Sequence, residues 1–354
     1  MTIRKKMQPF KTYVLLPVII LISTILSSCS VSQPVITPDE TIPPPSSPPP
    51  LPAEPAFPSG PVYTPGPAPY IPSGVQAELF QYVLELINND RRSAGVEPVT
   101  LNYNAAAQKH ARDMFDNYFL AHWGTDGLKP YMRYTRQGGL GYEQENSAYA
   151  GWFNREDNPE RYENIDPHEI IQRLEHSMMY DDAKSNWGHR DAIINKLHKK
   201  VNIGLVYDDK RLALVQQFEG DYVEYILPPT LLDNTLSLSG KIFLGRINNI
   251  TICYDELPEP LEASQLVYGN YHQYTLGERV AYVIPPAPAG QFYRNLPPEA
   301  IQADIWSTNE SGQFHIQADI SYALNTGKGV YTIVIVADVD EESANLTNYS
   351  IFIE

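Results

Sequence analysis

The apolar residues of region 76–227 repeat mainly at helical spacing. In the first segment they recur every three or four positions, which places them on one helix face: Val75, Leu79, Val83, Leu86 and Ile87. A second helix is predicted over 104–118 by the same criterion. A third begins at Asp166, where an aspartate cap followed by Pro167 forms a helix start signal.

Two apolar runs follow these helices, at 201–207 and 212–218, and predict an antiparallel strand pair. Helices combined with such a pair indicate an α+β domain. Short alternating runs then replace the helical spacing and predict seven strands, at 237–243, 247–254, 279–284, 303–306, 314–320, 330–337 and 349–352. The pattern predicts an all-β sandwich of immunoglobulin-like type over 231–354. The change near 227–230 also predicts two domains that fold independently.

The N-terminus has the pattern of an export signal. Four cations and no acid precede an almost wholly apolar run at 14–26, which is shorter than the roughly 20 residues of a bilayer span. The run ends in Leu-Ser-Ser-Cys, which resembles the bacterial lipobox and places the cysteine at position 29. We therefore expect 1–28 to be a lipoprotein signal peptide and Cys29 to carry the lipid. An uncleaved N-terminal anchor is the alternative, and both predict an exported protein held at the membrane and facing outward.

Residues 29–75 are rich in proline, with triplets at 43–45 and 48–50. This composition favours extended polyproline II and builds no core, so it predicts a linker between the membrane and the globular part. The net charge is −16, and losing the four cations of the signal leaves −20. This charge excludes nucleic acid as a partner through a basic face, and it makes the lipid anchor the expected route to the membrane. The second cysteine, Cys253, is predicted to be a buried strand residue.

Six short motifs follow one another between 76 and 220. They are Asn88–Arg92 with Gly95 and Pro98, Ala107–Met114, Ala121-His122 with Asp126-Gly127, Glu145-Asn146, Asn186–Ile194, and Gln216–Phe218. In this order they resemble the motifs of the CAP superfamily, which groups cysteine-rich secretory proteins, antigen 5 and pathogenesis-related 1 proteins. The resemblance implies that 76–227 is a CAP (SCP) domain with the fold of an α–β–α sandwich.

The resemblance also implies a cleft. In eukaryotic members two histidines and two glutamates line it and can hold a divalent ion. His122 and Glu145 match the first histidine and glutamate, and His189 of the bacterial motif is the candidate for the second histidine. The positions around the second glutamate are further candidates: Glu175, His176 and Ser177. The implied cofactor is a divalent metal such as zinc, for which imidazole and carboxylate are suitable ligands.

Two functions stay open at this point. The first is a binding module for an extracellular lipid, glycan, cell-wall component or protein. The resemblance implies the lipid as a ligand, because some CAP relatives bind lipids. The second is a metal-assisted hydrolase that uses His122, Glu145 and His189. These residues can equally form a hydrogen-bonded structural cluster. His168-Glu169 begins like a zinc-protease motif, but Gln172 stands where the second histidine ligand is required. The incomplete ligand set favours binding over catalysis, and no confident catalytic residue emerges.

Overall fold

The computed structural model describes residues 19–22, 36–38, 67–151, 164–340 and 342–354. Cys29, most of the expected signal peptide and most of the proline-rich linker lie outside these residues. Within them, no helix is both long and apolar enough to cross a membrane.

The helices of the described residues are short apart from three in the CAP-like region. Their bounds are α1 (Val75–Ser93), α2 (Ala105–Asn117), α3 (Pro130–Arg136), α4 (Pro167–Tyr180), α5 (Gly188–Ile193), α6 (Ala263–Tyr268) and α7 (Ser321–Leu324). A 3-10 turn over Asp182–Ser185 links α4 to α5.

The strands fall into two groups along the chain. The first group is β1 (Ile19–Ile22), β2 (Ile36–Pro38), β3 (Thr100–Asn102), β4 (Glu143–Ala150), β5 (Lys200–Tyr207) and β6 (Leu212–Glu219). The second group is β7 (Val223–Leu232), β8 (Thr235–Ile242), β9 (Arg246–Asp255), β10 (Glu278–Ile284), β11 (Gln291–Tyr293), β12 (Ala300–Gln302), β13 (Ile305–Thr308), β14 (Gln313–Asp319), β15 (Gly329–Val339), β16 (Glu342–Asn345) and β17 (Tyr349–Ile353).

The first sheet has the order β1-β4-β6-β5-β3, in which β1 belongs to the expected signal peptide, and helices cover both of its faces. Side chains alternate across a strand, so one face of β6 differs from the other. Leu212, Leu214 and Phe218 pack into a core with α1, α4 and α5. Ala213 and Val215 point the opposite way, into a core with α2. The layers are therefore α–β–α, as the resemblance to the CAP superfamily implied.

Two helices begin with side-chain caps, of which the sequence predicted the one at Asp166. Asn104 accepts a hydrogen bond from the amide of Ala106 at the start of α2. Asp166 does the same for the amide of His168 at the start of α4. Each cap satisfies one of the amides that a helix N-terminus leaves unpaired.

The second half of the chain forms two sheets that face each other. A four-stranded sheet, β13-β14-β8-β7, packs on a larger sheet, β12-β10-β9-β15-β16, in which β17 also pairs with β15. Their common core is built from alternate residues, among them Leu238, Phe314, Ile252 and Ile333. The predicted sandwich is present, and its seven predicted strands correspond to β8, β9, β10, β13, β14, β15 and β17. The first strand of this sandwich, β7, begins at Val223, upstream of the expected boundary.

The large sheet of the sandwich is buried on both faces. Its outer face carries Cys253 together with Val330, Val334 and Val336, and these pack against residues of α3 and its flanks: Leu128, Tyr131, Met132 and Tyr142. This shared core explains why β15 is buried along most of its length. Asn348 adds two hydrogen bonds to the backbone of Glu143, at 3.0 and 2.9 Å. The two halves thus bury apolar surface against each other, and their independent folding remains a prediction.

Candidate functional site

His122 lies in the loop that follows α2. Asp113 of α2 holds this loop, since its carboxylate accepts hydrogen bonds from the amide and the hydroxyl of Thr125, both at 2.8 Å. Gly127 ends the loop with φ 73°, and a side chain there would collide with the backbone oxygen of Glu259. The Asp-Gly pair of the motif therefore has a physical role, because only glycine permits both this conformation and this close approach.

Glu145 lies on β4 and points at His122. Its Oε1 accepts a hydrogen bond from Nδ1 of His122 at 3.0 Å and another from the hydroxyl of Ser147 at 3.1 Å. Its Oε2 accepts a hydrogen bond from Nη2 of Arg133 at 3.0 Å. His110 of α2 is also near, with Nε2 3.7 Å from Oε1. Both carboxylate oxygens are therefore engaged by neighbouring side chains.

The electrostatics of this cluster favour one ionised pair. Burial lowers the pKa of His122, and burial together with Arg133 lowers the pKa of His110 to about 3. Burial alone would raise the pKa of Glu145, but Arg133 and the nearby histidines lower it to about 2. At neutral pH the two imidazoles are neutral, and a Glu145 carboxylate faces the Arg133 guanidinium.

His189 is oriented by a second carboxylate. Its Nδ1 donates to Asp182 at 2.6 Å, and its amide donates to the same side chain at 2.9 Å. Asn146, next to Glu145, donates to the carbonyl oxygen of His189 at 3.1 Å. The structure therefore brings His122, Glu145 and His189 into one buried region.

Of the other candidates near the second glutamate, only Glu175 is linked to this cluster, through Gln216, whose side-chain oxygen lies 3.4 Å from the side-chain amide nitrogen of Asn146. His176 is exposed, with Nδ1 3.5 Å from Asp181. Ser177 is half-buried on α4. Glu175 is buried on the same helix and accepts a hydrogen bond from Gln216. Burial raises the pKa of Glu175 to about 8.

The second half of the chain covers His122. The amide of His122 donates to the carbonyl oxygen of Tyr271 at 2.9 Å. Tyr274 packs its ring on the imidazole, and its hydroxyl accepts the amide of Glu145 at 3.0 Å. His122, Glu145 and His189 have no exposed surface.

These residues do not fit the implied three-ligand metal site. Glu145 already uses both oxygens, and the Arg133 guanidinium beside it opposes a second cation. In the part of the chain that the structure describes, no group of three or more His, Cys, Asp or Glu side chains is arranged to hold a metal ion. Two nitrogen atoms remain available as metal ligands, Nε2 of His122 and Nε2 of His189. Neither has a hydrogen-bond partner among the described residues.

Sequence reasoning missed three residues of the cluster. Arg133 belongs to α3, a helix that the sequence pattern did not predict. Asp182 lies seven positions before His189, and that spacing across a turn is a weak signal for the pair. Tyr274 lies 129 residues from Glu145, and nothing in the sequence links the two.

Comparison with known proteins agrees with this fold. Residues 84–218 match the model of the CAP family, described as the cysteine-rich secretory protein family. The chain therefore contains a CAP superfamily domain, the kind of module through which extracellular proteins bind and interact. No curated protein matches the chain. Among solved structures, it is similar to the CAP domain of enterococcal PrgA, with 14% identity and a TM-score of 0.27. That match covers 42% of this chain and 63% of the other.

Proposed function

We propose that this protein is an exported, lipid-anchored binding module whose CAP domain takes an extracellular ligand. The observation that carries this proposal is the state of the His122–Glu145 pair. Its histidine is fully buried under Tyr274, and its carboxylate is saturated by Ser147, His122 and Arg133. A catalytic base has to reach the proton that it abstracts, directly or through one water. A sealed carboxylate whose two oxygens are both engaged instead serves to hold the surfaces around it rigidly.

The lipid anchor is the second part of the proposal. It rests on the Leu-Ser-Ser-Cys sequence that ends the N-terminal apolar run, and on a net charge of −16 that opposes attachment to anionic lipid surfaces. Cys29 is expected to carry the lipid, and 30–75 to extend the domain away from the membrane. The proposed ligand is a cell-wall component, a glycan, a lipid or a protein outside the cell.

One observation favours the hydrolase as a second candidate. His122 and His189 each donate Nδ1 to a buried carboxylate, which leaves Nε2 as the free ring nitrogen. That arrangement fixes the tautomer and raises basicity in both general bases and metal ligands. The candidate needs the cover formed by Tyr271 and Tyr274 to open before a substrate reaches either nitrogen.

Anchoring is tested by expressing the full chain and a Cys29→Ser variant in a bacterial host with labelled fatty acid. We expect label and membrane association in the wild type, and neither lipid label nor signal cleavage in the variant. Absence of label in the wild type contradicts the lipoprotein proposal.

Binding and hydrolysis are separated by incubating the full chain with isolated bacterial cell envelopes. We expect the chain to sediment with the envelopes and to release no soluble fragments. The hydrolase would be supported if the wild type releases soluble fragments from the envelopes and if both His122→Ala and His189→Ala fail to release them. Sedimentation no better than that of a cytosolic control protein would contradict the binding proposal.

A further inference from the structure

A cavity of about 680 Å³ lies where the CAP domain meets the sandwich. Its volume is within the range of about 300–1,000 Å³ that is common for small-molecule sites, and such sites are frequent between domains. The apolar residues that line it come from both halves of the chain: Trp123, Met132, Leu257, Leu261 and Tyr271. Trp123 and Tyr271 meet edge to face, with 5.4 Å between ring centroids.

The two walls of this cavity are fixed before any ligand arrives. The amide of Leu261 donates to the carbonyl oxygen of Thr125 at 2.9 Å, and the neighbouring His122 amide donates to Tyr271. On the other side, Lys129 contacts Asp255 at 2.5 Å, and Tyr131 donates to the same carboxylate at 2.5 Å. Binding here requires little further ordering of the chain, which favours affinity.

The mixed lining of the cavity disfavours three ligand classes. An anion would meet Asp255, Glu256 and Glu259, and only Lys129 and Lys328 oppose them. A cation would find Asp255 already paired with Lys129, and at the Trp123 ring it would compete with the Lys129 ammonium, which lies 5.3 Å from the ring centroid. An acyl chain needs a continuous apolar wall, and here charged residues interrupt the apolar ones.

A neutral ligand with one apolar face and many hydroxyls satisfies all of these conditions. The C–H face of a sugar ring packs on an aromatic side chain such as Trp123 or Tyr271. Its hydroxyls donate to the exposed carboxylates of Glu256 and Glu259 and accept from the ammonium of Lys328. We propose that this interdomain cavity binds a neutral saccharide. The proposal rests on the binding function above and gives it a location and a ligand class.

The test is calorimetric titration of the full chain, purified from membranes in detergent, with the β-1,4-linked tetramers of N-acetylglucosamine and of glucose. We expect one of them to bind saturably. Trp123→Leu should weaken that binding about tenfold or more, the equivalent of roughly 1.4 kcal/mol. Trp187→Leu is the matched control, because Trp187 is partly exposed elsewhere on the CAP domain. It should bind like the wild type.

Trp123 is half-buried, so its variant has to be checked for folding by thermal denaturation. The double variant Glu259→Ala/Lys328→Ala changes only exposed residues of the rim and should weaken binding several-fold even if Trp123→Leu does not fold. Parallel titrations use phosphatidylcholine vesicles and a lysine-rich peptide, and neither should bind at the cavity. Two results would overturn the proposal. The first is binding of the vesicles or the peptide that is lost in Trp123→Leu. The second is tetramer binding that stays unchanged in both Trp123→Leu and the double variant. No tetramer binding by a chain that still sediments with envelopes overturns this proposal alone.

Discussion

Tyr274, from the second half of the chain, packs its ring against the imidazole of His122 in the CAP domain, with 4.8 Å between centroids. The same tyrosine accepts the backbone amide of Glu145 through its hydroxyl. Both rings are buried, and both belong to a seam that also contains the apolar core shared by α3 and β15. Residues outside the CAP domain therefore set one side of the environment of the CAP histidine.

This relationship predicts graded effects at position 274. Tyr274→Phe keeps the ring but leaves the buried Glu145 amide without its acceptor, which should cost about 1–3 kcal/mol of unfolding free energy. Tyr274→Ala also removes the ring and should cost about 3–5 kcal/mol, since it leaves a cavity against His122. Urea denaturation measures both. Tyr268→Ala is the control: that residue is 85% exposed, and its loss should change stability by no more than about 0.5 kcal/mol. Equal stability of all three variants would contradict the role of Tyr274.

The Glu145–Arg133 pair gives a second prediction. Glu145→Gln leaves a buried guanidinium without its counter-charge, so it should destabilise the fold by about 3–5 kcal/mol. His122→Ala removes a neutral partner and should cost less, about 1–3 kcal/mol. The double variant Arg133→Met/Glu145→Gln should cost clearly less than the sum of its single variants, because no unpaired charge remains. Additive losses in this cycle would mean that the pair is not coupled.

The sequence predicted elements where one local pattern determines them. The helical stripe of α1, the start signal at Asp166, and the alternating strands of the sandwich are all local, and all are present. Helix α3 was not predicted because Pro130–Arg136 is only seven residues long and its buried face contacts the other half of the chain. The polar strand Glu143–Ala150 was not predicted either, because every residue is buried and there is no alternation to detect.

The candidate site was predictable only in part for a similar reason. His122, Glu145 and His189 stand in motifs that could be matched one by one. Their partners Arg133, Asp182 and Tyr274 depend on how distant segments pack, and no motif carries that information. The metal expectation failed to account for Arg133, which turns the Glu145 carboxylate into half of an ion pair.

Arg91, the arginine of the first motif, gives a third prediction. Its guanidinium is fully buried and donates to four carbonyl oxygens, those of Glu97, Ile193, Asn195 and His198. Lysine cannot reproduce this planar set of donors. Arg91→Lys should therefore leave buried carbonyls unpaired and lower the unfolding free energy by about 2–4 kcal/mol. Arg92→Lys is the matched control, because Arg92 is exposed and its guanidinium donates to the side chain of Asn89. Melting temperatures that do not differ between the two variants would contradict this role.

The shared core gives a fourth prediction. Separate production of 67–222 and 223–354 exposes Cys253 and Val334 on one fragment and Tyr131 and Met132 on the other. We expect each fragment to melt at a lower temperature than the full chain, because apolar surface in this core is worth roughly 25 cal/mol per Å². Mixing the fragments should raise both melting temperatures by mass action. If each fragment melts at the temperature of the full chain, and mixing leaves both melting temperatures unchanged, the two halves are independent domains.

Glu175 gives the last prediction, which concerns pH. Burial raises its pKa in the folded chain to about 8, against 4.5 for an ordinary glutamate. The folded state therefore keeps a proton between pH 4.5 and 8 that the unfolded state has already lost. The contribution of Glu175 to the unfolding free energy is fully present below pH 4.5. It falls as the pH rises through this window, by up to about 1.4 kcal/mol per pH unit. Glu175→Gln has no charge to bury and can still accept from Gln216, so it should match the wild type near pH 4.5 and exceed its stability at pH 8.

Urea denaturation across this range measures the difference, with Glu169→Gln, exposed on the same helix, as the control. Parallel pH profiles for wild type and Glu175→Gln would show that Glu175 is ionised in the folded protein at neutral pH.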